Sequence, residues 1–250
     1  MNKKLAYLIP NFFTASSLIC ALLALNLIAE GHFVLGAWLI TISMLFDGFD
    51  GKMARWLNAT SKIGAEADSL ADFVAFGVVP GFLAWSVCLK HFGTIGFIVF
   101  IVYVLCGGFR LARFNVMASN SAKKEDFKGL PIPAAAATIA SYVLFNELVV
   151  PDKSINFLLL LIMCFLSWLM VSKIPYFAVT KSHKRKKTTT MLIVFVATLV
   201  YWAIRYTVWV YMICSWVYIC SGLYRQVNVM VKKYQKKTKP HKAKIERKGE

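Results

Sequence analysis

Four aspartates with helical spacing are the strongest indication of chemistry in this sequence. Asp47 and Asp50 are three positions apart and Asp68 and Asp72 are four apart, so each pair projects from one face of its own helix. The chain has only 12 acidic residues, and five of them fall between 47 and 72. Ionisable groups embedded in apolar sequence are expensive, so this cluster predicts a functional site.

A site built from carboxylates would bind a hard divalent cation. Oxygen ligands suit Mg²⁺, Mn²⁺ or Ca²⁺, whereas zinc would favour His or Cys. Two such ions could bridge a pyrophosphate and steady both the entering and the leaving oxygens. Gly51 and Gly64 leave room for a ligand, and Arg55 offers a planar fork for phosphate. The alternative is a set of solvated loop acids paired with Lys52, Arg55 and Lys62.

The elements that must position these aspartates are membrane helices. Hydrophobic residues make up 58% of the 250 positions, charged residues make up 16%, and the mean hydropathy is +0.61. The apolar residues form long blocks, such as 12–29, 157–171 and 191–204, which approach the roughly 20 residues needed to cross a bilayer. This composition excludes soluble enzymes and secreted domains. It predicts an all-α, polytopic helical bundle.

Breaks between the apolar blocks predict about eight transmembrane helices. Six spans are expected near 11–30, 33–55, 69–89, 94–114, 132–150 and 155–176. The block 189–224 has 36 residues, which is too long for one crossing, so we predict two helices with Arg205 at the turn.

The basic residues predict the orientation of these spans. Of the 29 lysines and arginines, 26 fall on one set of loops and helix ends, and only Lys90, Lys153 and Arg205 fall on the other. The positive-inside rule then places both termini in the cytoplasm. Since we find no cleavable presequence, we expect a multi-pass protein of the bacterial cytoplasmic membrane, with its active site facing the cytoplasm. We expect a membrane domain over 1–226 and a basic cytoplasmic tail over 227–250.

The net charge of +17 favours a membrane surface over nucleic acid as the partner of the basic residues. The runs 184–187 and 232–248 follow hydrophobic segments, where they would meet anionic lipid. We therefore expect membrane lipid and no nucleic acid as a partner.

The spacing of the aspartates resembles the signature of the CDP-alcohol phosphatidyltransferase family. The matching pattern is Asp47-x2-Asp50-Gly51-x2-Ala54-Arg55-x8-Gly64-x3-Asp68-x3-Asp72. The resemblance implies an integral-membrane enzyme in which an alcohol hydroxyl attacks the phosphate of a CDP-linked lipid and CMP leaves. It also implies two divalent cations, Mn²⁺ or Mg²⁺, held by all four aspartates, with Asp72 also acting as general base.

The same resemblance implies which residues bind the CDP part of the lipid. They are Asn11, Thr14, Gly51, Arg55 and Ser61, with Thr60 as a neighbour of Ser61. For Asn11 and Thr14, an N-cap and turn at the start of the first helix would explain the local sequence equally well.

Two arginines are the candidates for recognising the alcohol. The stretches 109–115 and 127–134 resemble the branch of the family that makes phosphatidylserine. Arg110 and Arg113, one helical turn apart at the end of the fourth span, could clamp a carboxylate or a phosphate. Anchoring by the positive-inside rule is the alternative. The expected substrates are CDP-diacylglycerol and L-serine, and the resemblance further implies a homodimer.

Two rival functions remain open. A sibling transferase would use glycerol 3-phosphate or inositol phosphate, and the two arginines would then bind phosphate. A cation transporter would use the four carboxylates as an ion path, but its acids should be spread through the bilayer midplane. Here the acids lie toward the cytoplasmic end of the second and third predicted spans.

Overall fold

The computed structural model describes residues 3–57, 61–120, 129–149, 156–174 and 207–246, and every regular element in these ranges is helical. The α-helices of these ranges are α1 (Lys3–Ala29), α2 (Phe33–Trp56), α3 (Lys62–Asp72), α4 (Val79–Val87), α5 (Gly93–Asn120), α6 (Ile132–Leu148), α7 (Asn156–Val171) and α8 (Thr207–Glu246). A π-helical turn, Phe73–Val78, joins α3 to α4, and a 3₁₀ turn, Leu89–Phe92, leads into α5. The predicted all-α class is confirmed.

In the part of the chain that the structure describes, four helical stretches are long and apolar enough to cross a membrane. They are Leu8–Ala29, Phe33–Met53, Ile63–Val87 and Leu89–Met117, and they confirm the first four predicted spans. The fifth and sixth predicted spans correspond to the shorter apolar helices α6 and α7, which have 17 and 16 residues. The predicted turn at Arg205 lies outside the described residues, so the count of eight spans and the side on which the termini lie stay predictions.

The last helix is much longer than one membrane crossing. α8 has 40 residues and is therefore about 60 Å long, roughly twice the thickness of the hydrocarbon core. It runs without interruption through the predicted domain boundary at 226/227. The described part of the basic tail is thus a continuation of a helix that begins among apolar residues.

The first two helices form a closely packed antiparallel hairpin. Gly31, whose φ of 88° is left-handed, reverses the chain between them. Gly36 faces α1 so closely that an added Cβ would lie 2.5 Å from Cγ1 of Ile28, which is buried. The close approach of the two backbones therefore depends on a missing side chain.

A pair of buried serines fixes how α1 and α2 align. The Ser17 hydroxyl lies 3.0 Å from the carbonyl oxygen of Ser43, and the Ser43 hydroxyl lies 2.9 Å from that of Ser17. The two hydroxyl oxygens are 2.9 Å apart. Because lipid offers no competing partners, such a pair is a directional contact between helices. It aligns the half of α1 that precedes Ser17 with the half of α2 that follows Ser43.

The core of the bundle lies around α4 and α6. Val79, Leu83 and Ala84 of α4 are fully buried, as are Ile139 and Leu144 of α6. The outer faces of α5 and α7 expose large apolar side chains, among them Leu105 and Trp168. Such exposed side chains suit contact with lipid.

We expect Gly36→Ala to destabilise the protein by about 1–3 kcal/mol, because its new methyl group would overlap Ile28 in a packed interface. The matched control is Gly48→Ala on the same helix, where an added Cβ meets nothing within 4 Å. Thermal unfolding in detergent measures the difference. Equal melting temperatures for the two variants would show that the α1–α2 approach does not depend on Gly36.

Candidate active site

Three of the predicted aspartates meet between the second half of α2 and α3. Asp47, Asp50 and Asp68 each bring a carboxylate oxygen within 4.8 Å of the other two. α2 supplies the first two from successive turns, and α3 supplies the third. Asp50 is the most enclosed, with 5% of its surface exposed. We call this group the aspartate cluster.

Asp72 joins the aspartate cluster from the last turn of α3. Its carboxyl group is hydrogen-bonded to that of Asp47 and interacts electrostatically with Asp68 and Asp50. All four predicted aspartates are therefore neighbours. Like charges this close repel each other strongly in an apolar surrounding, and a divalent cation between them would remove the repulsion.

One carboxylate oxygen of the aspartate cluster is left without a partner. Asp68 Oδ1 is buried and accepts no hydrogen bond from the described residues. A buried acceptor in that state is costly, and such groups call for an explanation such as a bound ion. The donor set is oxygen only, which is what Mg²⁺ and Mn²⁺ prefer. The residues present therefore fit a hard divalent cation.

Thr14 brings α1 against the aspartate cluster. Its hydroxyl lies 2.9 Å from Asp50 Oδ2 and 3.2 Å from the carbonyl oxygen of Pro10, one turn earlier in α1. Asn11 and Thr14 both lie well inside α1, which begins at Lys3. The alternative interpretation, in which Asn11 and Thr14 form an N-cap and turn at a helix start, is therefore wrong.

Two further predicted residues meet at the start of α3. The backbone N–H of Gly64 donates to Ser61 Oγ at 2.9 Å, so Ser61 is the N-cap of this helix. A Cβ on Gly64 would lie 3.2 Å from Asn11 Oδ1 and 2.9 Å from Ser61 Oγ. A side chain at position 64 would therefore collide with both polar groups, and glycine keeps them close together.

The remaining residues predicted to bind the CDP group lie near the end of α2. Gly51 follows Asp50 directly, and an added Cβ there would meet nothing within 4 Å, so this side of the helix is open. Arg55 lies in the last turn of α2, but its side chain lies outside the described part of the structure, as does Thr60.

Arg110 places a positive charge beside the aspartate cluster. The residue is buried, with 8% of its surface exposed, and it interacts electrostatically with Asp72 and with Tyr218 of α8. Its guanidinium carbon lies 5.5 Å from the centre of the Phe114 ring. A buried guanidinium with a carboxylate on one side and an aromatic ring on another is well placed to bind an anion.

Arg113 is directed elsewhere. Its guanidinium donates to the carbonyl oxygens of Val171 at 3.0 Å, Ser172 at 3.2 Å and Met170 at 3.4 Å. These carbonyls end α7, where helix geometry leaves them without partners from their own helix. The structure thus separates the two predicted arginines: Arg110 interacts with Asp72, and Arg113 holds the end of α7.

Two residues around the site, Tyr218 and Asn115, were not predicted from the sequence. Tyr218, which interacts electrostatically with Arg110, lies within a long apolar block with no diagnostic spacing. Asn115 Nδ2 donates to Ser69 Oγ at 2.9 Å and so links α5 to α3 beside the aspartates. Asn115 could have been suspected as a polar residue close to the two arginines.

Comparison with known proteins identifies the family to which this chain is similar. Residues 7–170 match the family model described as CDP-alcohol phosphatidyltransferase, a range that includes the aspartate cluster, Asp72 and Arg110. The chain is also similar to proteins named CDP-diacylglycerol–serine O-phosphatidyltransferase. That of Helicobacter pylori strain J99 is 37% identical over 227 residues, which cover 90% of this chain and 94% of the relative.

Two other relatives carry the same name. That of Helicobacter pylori strain 26695 is 38% identical over 192 residues, covering 76% of this chain and 81% of the relative. That of Bacillus subtilis strain 168 is 40% identical over 169 residues, covering 67% of this chain and 89% of the relative. Because the family model spans well over half of the chain and these relatives align along most of their own length, the chain belongs to the CDP-alcohol phosphatidyltransferase family.

Proposed function

We propose that the protein transfers a phosphatidyl group from CDP-diacylglycerol to the hydroxyl of L-serine, giving phosphatidylserine and CMP. The observation that carries the proposal is the aspartate cluster with Asp72 and Arg110 beside it. The names of the relatives supply the identity of donor and acceptor. The protein would then be a membrane-bound transferase of phospholipid biosynthesis.

The cation site of this proposal consists of the four aspartates. Asp47, Asp50, Asp68 and Asp72 would hold two divalent cations, Mn²⁺ or Mg²⁺, with the unpartnered Asp68 Oδ1 as one ligand. When bound, such ions neutralise a diphosphate and stabilise the entering and leaving oxygens. The hydroxyl of Thr14 orients Asp50 within the cluster.

The chemical step is a displacement at the lipid-side phosphorus. Asp72 accepts the proton of the serine hydroxyl, the serine oxygen forms a bond to phosphorus, and the bond from phosphorus to the CMP oxygen breaks. Phosphatidylserine keeps the phosphatidyl group, and CMP leaves with the electron pair. No covalent intermediate with the protein is required.

The residues that bind the CDP part of the lipid are assigned to the meeting point of α1, α2 and α3. They are Asn11, Thr14, Gly51, Arg55 and Ser61. The contacts that support this assignment are the close approach of Asn11 and Ser61 at Gly64 and the open side of α2 at Gly51. Arg55 would contribute a charge-assisted contact to the diphosphate.

Serine is held by its carboxylate in this proposal. Arg110 is a buried cation beside Asp72, so a carboxylate bound to it would keep the serine hydroxyl near the general base. Arg113 is the second proposed contact. Its 3.4 Å hydrogen bond to the carbonyl of Met170 is longer than those to Val171 and Ser172, and it is the one that a substrate carboxylate would replace.

The position of the acids favours a reaction centre over a cation path. The four aspartates lie in two consecutive helices and gather at one site. A transport path would instead place acids at several depths.

The proposed setting is a homodimer in a bacterial cytoplasmic membrane, with eight spans, both termini inside and the active site facing the cytoplasm. The distribution of lysine and arginine supports the orientation. The membrane domain would comprise residues 1–226, with residues 227–250 as its basic tail.

We expect purified full-length protein in detergent to release CMP from CDP-diacylglycerol with Mn²⁺ or Mg²⁺ when serine is added, and to stop when EDTA removes the cation. Parallel reactions with glycerol 3-phosphate and inositol phosphate test the sibling transferases. Release with one of these alcohols alone would keep the mechanism but overturn serine as acceptor. No release with any alcohol would overturn the proposed function.

We expect Asp72→Asn to lower kcat at least about 100-fold while the protein still inserts and stays folded, because an amide cannot accept the hydroxyl proton. The matched control is Glu66→Gln, the same chemical change at an exposed position on α3, which should keep wild-type turnover. Steady-state CMP release measures both variants. Wild-type turnover by Asp72→Asn would remove this residue from the proposed chemistry.

We expect Arg110→Lys to raise KM for serine about 10- to 100-fold, because the charge remains but the planar two-point contact with a carboxylate is lost. KM for CDP-diacylglycerol should change less than about threefold, since Arg110 is assigned to the acceptor. Initial rates with each substrate varied in turn separate the two constants. A rise confined to KM for CDP-diacylglycerol would assign Arg110 to the donor instead.

A further inference from the structure

A π-helical turn directly follows Asp72. In the segment Phe73–Val78 the backbone N–H of Val79 donates to the carbonyl of Val74, five residues earlier, in place of the α-helical four. Such a turn accommodates one extra residue, and one residue corresponds to about 100° of helix rotation. The turn therefore sets how the Asp68–Asp72 face of α3 is rotated relative to the buried face of α4.

The π turn coincides with a proline. Pro80 is in the first turn of α4 and has no N–H. In a regular α-helix residue 80 would donate to the carbonyl of Phe76, four residues earlier. That carbonyl lies within a membrane-spanning stretch, where lipid supplies no donor in its place.

Tyr103 supplies a donor for this carbonyl from another helix. Its hydroxyl donates to the Phe76 carbonyl oxygen at 3.2 Å, and the residue is completely buried. A Cβ on Gly81 would lie 3.2 Å from Tyr103 Cδ1, so the tyrosine ring packs directly on the backbone just after Pro80. The ring fills the space beside the π turn, and its hydroxyl satisfies the turn's backbone.

α5 contacts the continuous segment formed by α3, the π turn and α4 at two positions along its length. Tyr103 and Arg110 are seven residues apart, two turns along one face of α5. Tyr103 interacts with Phe76 and Arg110 interacts with Asp72, and these two partners are one turn apart in the adjoining helix. Between the two positions, Phe73 packs so closely on α5 that a Cβ on Gly108 would lie 3.0 Å from its ring. Side chains and backbone of α5 thus contact the π turn along its length.

We propose that Tyr103 is a positioning residue for the transfer reaction, and that its hydrogen bond to Phe76 holds the π turn which directs Asp68 and Asp72 into the aspartate cluster. Tyr103 acts through the backbone of α3 and α4 and does not touch the substrates. The inference rests on the proposed function for its kinetic consequence, but not for its effect on cation binding.

The test is Tyr103→Phe in full-length protein, which removes only the hydroxyl. We expect kcat and the affinity for Mn²⁺, measured by electron paramagnetic resonance without substrates, each to fall about tenfold, as for partners that orient metal ligands. KM for serine and for CDP-diacylglycerol should stay within about twofold. Tyr211→Phe is the matched control, because it removes a hydroxyl that lies 3.2 Å from Thr41 Oγ1 of α2. It should change neither quantity.

The same substitution made in Pro80→Ala protein separates the effect of the lost hydrogen bond from the effect of altered packing. Pro80→Ala restores an N–H that can donate to Phe76, so Tyr103→Phe introduced into Pro80→Ala protein should cost about threefold or less. An equal loss in both backgrounds would overturn the proposal, as would an unchanged kcat and Mn²⁺ affinity in Tyr103→Phe. If wild-type protein releases no CMP with any alcohol, the proposed function fails, and the Mn²⁺ affinities still decide whether Tyr103 positions the aspartates.

Discussion

The structure depends on one constraint: four carboxylates must be held close together within helices that are otherwise apolar. Repulsion between these groups and the loss of water both oppose the arrangement. The surrounding contacts offset part of this cost. Thr14 donates to Asp50, Arg110 lies beside Asp72, and the oxygen-only donor set fits divalent cations. The contacts between these helices therefore make most sense as the contacts that position and stabilise the aspartates.

Polar contacts between helices determine where the aspartates meet. Ser17 and Ser43 align α1 with α2, and in the same alignment Thr14, about one turn before Ser17 in α1, reaches Asp50. At the other side of the site, Asn115 joins α5 to α3 through Ser69. Each contact is worth little in free energy, but each is directional, and lipid does not compete for it. These contacts therefore fix how the helices align more than they add to the attraction between the helices.

The features that sequence predicts well are those governed by local periodicity. The spacings of Asp47 with Asp50 and of Asp68 with Asp72 placed each pair on one helix face, and a length of about 20 apolar residues identified the first four spans. The start of α1 was missed because Asn11 and Thr14 resemble a helix start, whereas the helix begins at Lys3 and continues through Pro10. Pro80 is visible in the sequence, but a proline does not specify a π turn.

Other features depend on partners that are distant in sequence. The guanidinium of Arg113 reaches carbonyls 57 to 59 residues away, so no local pattern could separate its role from that of Arg110. Tyr218 interacts with Arg110 across more than a hundred residues of chain. Helical periodicity gives the face on which a residue lies, but only the packing of helices gives its neighbour.

The two acceptors of Thr14 have a consequence for how the site can fill and empty. A hydroxyl has a single hydrogen, and that of Thr14 lies within reach of both Asp50 Oδ2 and the carbonyl oxygen of Pro10. When another ligand takes the Asp50 oxygen, rotation about one side-chain bond can redirect the hydrogen to Pro10. The Thr14 hydroxyl then has an acceptor whether or not another ligand occupies the Asp50 oxygen, and the backbone of α1 need not move when that ligand binds or leaves.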